Sequence, residues 1–180
     1  MADDGTPLRA LALGRALGWY ADGLAEDPPG SNWGPRVRGI LADTGITVPA
    51  PWCAAFVYSC AQDVARLHGL PNPLEHVVRR ALVADYYAIA KERGWLIEPE
   101  RADRGDLVIY DFAGGHRWDH IGYVETPPGW SLTFRALEGN TNDAGGREGV
   151  EVAIRDRRIE PGRVVFARWD EGVEYVRRAA

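Results

Sequence analysis

Positive charge is in short supply: 21 Lys and Arg face 26 Asp and Glu, for a formal net charge of −5. That balance excludes charge-driven capture of nucleic acid or of an anionic membrane surface. It also counts mildly against tight electrostatic capture by other anionic polymers. Long apolar runs are absent too, the cleanest stretches being strand-sized. A bilayer-spanning helix needs about 20 apolar residues, so no membrane span is expected. The opening segment MADDGTPLRA is acidic and lacks the charged-then-apolar pattern of a secretory leader. Synthesis in the cytoplasm without a signal peptide is the expectation. There is no CxxC pair, no HExxH and no Asp-rich calcium loop, and so no metal and no cofactor is expected. A phosphate-cradling glycine motif and a basic-aromatic stripe are likewise missing. Cysteine is scarce: Cys53 and Cys60 are the only two. Seven residues along one helix put their Cα atoms roughly 10 Å apart, too far for a disulfide. Both thiols are expected to be free, with Cys60 a small buried residue.

What is present is a change of period. Up to about Gly94 the sequence reads helical. Thr6 and Pro7 suggest an N-cap followed by a first-turn proline, opening a helix that runs to Gly23. "AEDPPGSN" reads as a loop, and a short helix from about Pro35 is ended by Gly45. Residues 53–68 form the most apolar helix candidate, and residues 78–93 another amphipathic one. Beyond Gly105 the period becomes two, in "DLVIYDF", "HIGYVE", "SLTFRALEG", "GVEVAIR" and "RVVFARW". Helices followed by strands predict an α+β domain with N-terminal helices on a C-terminal antiparallel sheet. No composition break divides the chain, so residues 1–180 are read as one domain.

Few residues carry chemistry. Cys53 follows Pro51-Trp52 at a helix start, where unpaired N–H groups and the macrodipole favour a thiolate. Alone, a buried structural cysteine explains it as well. Of the four histidines, His68 ends a helix, His76 sits among prolines, and His116 lies in the glycine-rich tip "AGGHRW". His120 opens the strand "HIGYVE", so a rigid element fixes its direction; a strand-edge histidine bonded to a carbonyl is the alternative. In "FRALEGNTND", alternation puts Leu132, Phe134, Ala136, Glu138 and Asn140 on one face. An apolar face ending in Glu and Asn points polar groups where a histidine on a neighbouring strand can meet them. Turn residues at a strand end are the plainer reading.

In the order Pro51-Trp52-Cys53, "GDLVIYD", "DHIGYVE" and "LEGNT", the chain resembles the CHAP family (cysteine, histidine-dependent amidohydrolase/peptidase), a papain-like group rich in peptidoglycan hydrolases. The resemblance covers about residues 26–168. "SNWGPRVRGIL" is similar to the family's Asn-x-Gly helix preceding the cysteine. "PWCAAFV" and the Glu-Gly-Asn segment are its specific parts; "GD" before a strand is not. The resemblance implies a papain-like CHAP fold, with Cys53 as nucleophile and His120 as general base. Glu138 and Asn140 would be the polar pair behind the histidine, unranked by sequence. His116 is set aside because the family's histidine directly precedes an apolar-Gly strand, as His120 does. Two departures stand out. The acidic calcium loop of some phage members is missing, which argues for metal independence. A recognisable cell-wall-binding module is missing too, which leaves target recognition open.

The implied reaction is acyl transfer, with the Cys53 backbone N–H helping to hold the oxyanion. Asn32 is a candidate second donor, with a helix N-cap role as its alternative. Trp52, Trp118 and Tyr123 are candidate linings of a groove for peptide or glycan, or else ordinary aromatic packing. The leading expectation is a thiol-dependent peptidoglycan hydrolase, an N-acetylmuramoyl-L-alanine amidase or an endopeptidase. It would suit a phage endolysin, a tail-associated lysin or a type VI secreted toxin. Acting on a wall would then call for a holin, an injection system or a fusion partner, and an immunity protein could accompany it. The alternatives are an amidase on another small amide or peptide, and a non-catalytic binding or structural domain keeping the fold.

Overall fold

The most apolar stretch of the chain forms the helix around which the rest assembles. The computed structural model describes residues 6–130, 132–142 and 149–173. Residues 1–5, Ser131 and the Asp143 end of "FRALEGNTND" lie outside the described residues. Among the described residues four α-helices come first: α1 (Leu8–Ala21), α2 (Pro35–Asp43), α3 (Cys53–His68) and α4 (Val83–Glu92). Six strands follow: β1 (Leu96–Ile97), β2 (Leu107–Tyr110), β3 (His120–Thr126), β4 (Thr133–Thr141), β5 (Glu151–Arg158) and β6 (Val164–Ala167). They make one antiparallel sheet in the order β1-β6-β2-β3-β4-β5. The architecture is the expected α+β arrangement.

Helix α3 spans the expected residues 53–68. Every side chain from Cys53 to Gln62 is buried, so this helix has no solvated face over its first ten residues. Ala54, Ala55 and Ala61 keep it slim enough to be packed on several sides. It ends at Gly69, in the left-handed region (φ +64°), with Arg66 and His68 in the last turn. Basic side chains there face the negative end of the helix dipole. His68 is therefore a helix-end residue, as expected.

Two local expectations needed correction. Pro7, not Thr6, holds the cap position of α1, and no side chain caps it; the Pro7 carbonyl already accepts from Ala10 and Leu11. Helix α4 begins at Val83 rather than near residue 78. The Asp85 carboxylate takes the backbone N–H and the guanidinium of Arg79, which folds residues 79–82 back as a turn. Strand β1 has two residues, too few to show any period.

Alternation gives the sheet two buried faces. Leu107, Ile109, Ile121, Tyr123, Leu137 and Ala167 join the helices in the main core. Val108, Tyr110, Val124, Phe134, Ala136 and Phe166 form a smaller cluster on the other face. The Tyr123 hydroxyl donates to the Val57 carbonyl at 2.7 Å, tying β3 to α3. Gly139 lets β4 meet α3 closely, since a Cβ there would lie 2.8 Å from Phe56 and 2.9 Å from Trp52. The start of α3 is thus pressed against the end of the sheet where β3 begins.

Candidate active site

Cys53 is the first residue of α3, and His120 the first of β3. Adjacent strands put His120 directly opposite Tyr110 on β2. On the other side, Gly122 is opposite Glu138 of β4. The glycine is required there: a Cβ at residue 122 would come within 2.7 Å of Glu138 Cγ. The bare position lets the carboxylate lie over β3 toward the histidine. Nε2 of His120 and Oε2 of Glu138 are 2.9 Å apart, both side chains being fully buried.

The carboxylate has further partners. The Tyr110 hydroxyl donates to Oε1 at 2.9 Å. Arg157, on β5, donates through Nε to Oε1 at 2.8 Å and through a terminal nitrogen to Oε2. The Arg157 guanidinium also lies over the Tyr110 and Phe112 rings, 5.3 and 5.0 Å from their centroids. Phe112 in turn stacks on the His120 imidazole at 5.5 Å. The histidine is therefore held at one nitrogen and sandwiched by packing.

Electrostatics follow from this geometry. Burial disfavours a charged Glu138, but the imidazole and the guanidinium outweigh it and hold the carboxyl at about 2. Burial also disfavours a charged His120, but the Glu138 carboxylate and then the Cys53 side chain outweigh it, raising the histidine to about 10. Nδ1 of His120 is buried and makes no completed hydrogen bond. Cys53 is the side chain, besides Glu138, that acts on the imidazole.

Cys53 also lines a groove of about 520 Å³. Its walls include Ile46, Ala50, Leu82 and Trp118, with Arg79 and Arg117 among the polar lining. Trp118 is held by stacking on Tyr87 at 4.3 Å. The other two aromatic candidates do not line this groove. Trp52 is fully buried, with Phe56 edge-on to it, and Tyr123 is fully buried with its hydroxyl on Val57. They are core residues.

Asn140 departs from the expected face. A register shift separates Glu138 from Thr141, and Asn140 has φ +55°, which breaks the alternation after Glu138. Its side chain makes no described bond to His120. Instead Oδ1 accepts from the Trp52 backbone N–H at 3.1 Å. Nδ2 reaches the Gly149 carbonyl, Asn32 and Glu26. The buried Glu26 carboxylate also accepts from Trp52 Nε1 at 2.9 Å and from the Asn32 backbone. Asn140 thus anchors the residue before Cys53. Asn32 is not the cap of α2, a place held by Gly34; its side-chain oxygen accepts from Asn140.

The remaining histidines lie elsewhere. His116 is exposed on the 111–119 loop with its backbone N–H on Asp111, and His76 ends a short 3₁₀ turn. Sequence reasoning missed Tyr110, Arg157 and Glu26. Tyr110 shares the alternating face of Val108 and could have been found. Arg157 sits in the charged run "RDRR" and Glu26 in a proline-rich loop, where solvated side chains are the ordinary expectation. Among the described residues no group of three or more His, Cys, Asp or Glu is arranged to hold a metal ion. No described helix is long and apolar enough to cross a membrane.

Comparison with known protein families matches the CHAP domain over residues 45–140. No curated protein and no solved structure matches the chain.

Proposed function

The chain belongs to the CHAP domain family, and from that premise we propose that it is a thiol-dependent peptidoglycan hydrolase cleaving an amide bond through a cysteine acyl-enzyme. Membership suggests hydrolysis of the amidase type on peptidoglycan. The observation that carries the finer reading is the convergence of Cys53, His120 and Glu138 at the start of α3, beside a groove.

In this reading the Cys53 thiolate attacks the carbonyl carbon of the scissile amide. Helix-start N–H groups, which lack intrahelical acceptors, stabilise the oxyanion. The His120 imidazolium gives its proton to the departing amine nitrogen as the C–N bond breaks, leaving a thioester. Neutral His120 then takes a proton from water, which attacks the thioester carbonyl. The cysteine leaves as thiolate and the imidazolium is restored. Glu138 fixes the ring through Nε2, so that Nδ1 is the nitrogen that exchanges protons. Asn140 acts one step further back, holding Trp52 and with it the turn that presents Cys53. Trp118 lines the groove that takes the peptide or glycan.

The test is mass spectrometry of fragments released from purified peptidoglycan by the wild-type protein and by Cys53→Ala. Release by wild type alone is expected. A free lactyl-linked glycan would identify an N-acetylmuramoyl-L-alanine amidase, and split stem or cross-bridge peptides an endopeptidase. Equal release by Cys53→Ala would refute the thiol mechanism.

A further inference from the structure

A buried carboxylate against a buried histidine orients the ring well but holds its proton too firmly. The proposed reaction needs His120 to give up a proton to an amine and later to take one from water. Both steps run best when the group's affinity for protons lies near the working pH. Glu138 alone, 2.9 Å from Nε2 and fully buried, would bias the imidazole strongly toward its charged form. Arg157 stands on the far side of that same carboxylate, bonded to both oxygens. Its side chain is 11% exposed, so solvent screens it little.

We propose that Arg157 is a positioning residue that tunes His120 by sharing the charge of Glu138, giving the imidazole a carboxylate's acceptor geometry without a carboxylate's full pull. The proposal rests on the function proposed above. Cys53 from α3 and Glu138 from β4 act on the histidine directly, while Tyr110 from β2 and Arg157 from β5 act on it through Glu138. Tyr110 stays neutral, since burial and the Glu138 charge raise its hydroxyl well above the ordinary value. Removing the Cys53 thiol, as acylation also removes its charge, leaves Glu138 and Arg157 as the opposed charges. The guanidinium itself lies over the Tyr110 and Phe112 rings, so the charge is held where it acts.

The test uses the full chain with Cys53→Ala, in which the His120 ring nitrogens are titrated by ¹⁵N NMR, so no turnover is needed. Adding Arg157→Gln, or Arg157→Met, which keeps an apolar stem on the rings, should raise the histidine by about one pH unit. Arg157→Lys, which keeps the charge, should stay within a few tenths. In the otherwise wild-type enzyme, Arg157→Gln should move the acid limb of thioester hydrolysis, the step that needs neutral His120, upward by the same interval. A histidine unmoved or lowered in a folded charge-free variant overturns the proposal. So does an equal shift in Arg157→Lys, or failure of both charge-free variants to fold, which would make Arg157 structural. Should peptidoglycan release fail while the titration behaves as stated, it is the proposed function that falls.

Discussion

Cys53 and Cys60 stand seven residues apart on α3, both free and both buried, yet their surroundings differ in kind. Cys60 is walled in completely, and burial pushes its thiol far above the ordinary value. Arg15 pulls the other way, and burial wins. Cys53 opens the helix, lines a groove, and interacts with a histidine that is itself bonded to a carboxylate. The residue type and the helix are the same. What differs is access to a groove and the presence of a histidine that acts on the thiol's neighbourhood. Two turns of helix separate an inert packing residue from a candidate nucleophile.

The largest effects should come from removing each thiol in turn. Cys53→Ala is expected to lower peptidoglycan hydrolysis by about 10⁴-fold or more with little change in stability. Cys60→Ala should leave turnover near wild type and cost about 1 kcal/mol in denaturant unfolding. The histidines should divide likewise: His120→Ala inactive, His116→Ala active. An active His120→Ala alongside an inactive His116→Ala would place the base on the 111–119 loop instead of on β3.

A smaller effect concerns pH, and it separates the site end of the fold from the core around Cys60. Glu138 is depressed to about 2 from an ordinary 4.5, so its contribution to stability is present above about 4.5 and lost as pH falls through about 2. His120 is raised to about 10 from 6.5. Its contribution is complete below about 6.5 and lost as pH rises through about 10. Unfolding free energies measured across both windows should fall at each end in wild type, and fall less in Glu138→Gln. Matching curves for the two proteins would mean that the Glu138–His120 pair stores no stability.

Much of this comparison is legible in the sequence. The length and bounds of α3 follow from its apolar run between Pro51 and Gly69. The placement of His120 follows from the abrupt change to period two. The carboxylate at residue 138 follows from an apolar face that ends in acid. Other parts were not legible because they depend on departures from regular structure or on distant partners. The irregularity after Glu138 turns Asn140 away from the histidine and onto Trp52, and period-two reasoning assumes no such break. Arg157 reaches Glu138 from a neighbouring strand, nineteen positions along the chain. Glu26 meets Asn140 across 114 positions. In sequence each of these charges looks like a solvated one. Trp52 and Tyr123 were ambiguous between groove and core, and only burial separates the two.

The most direct measurement is the rate at which iodoacetamide labels each thiol of the folded wild-type protein, read by peptide mass spectrometry and repeated in His120→Ala. The account predicts Cys53 labelling about 100-fold or more faster than Cys60, with most of that advantage lost when the imidazole is removed. Equal, slow labelling of both cysteines, unchanged in His120→Ala, would contradict it and leave Cys53 a packing residue like its neighbour.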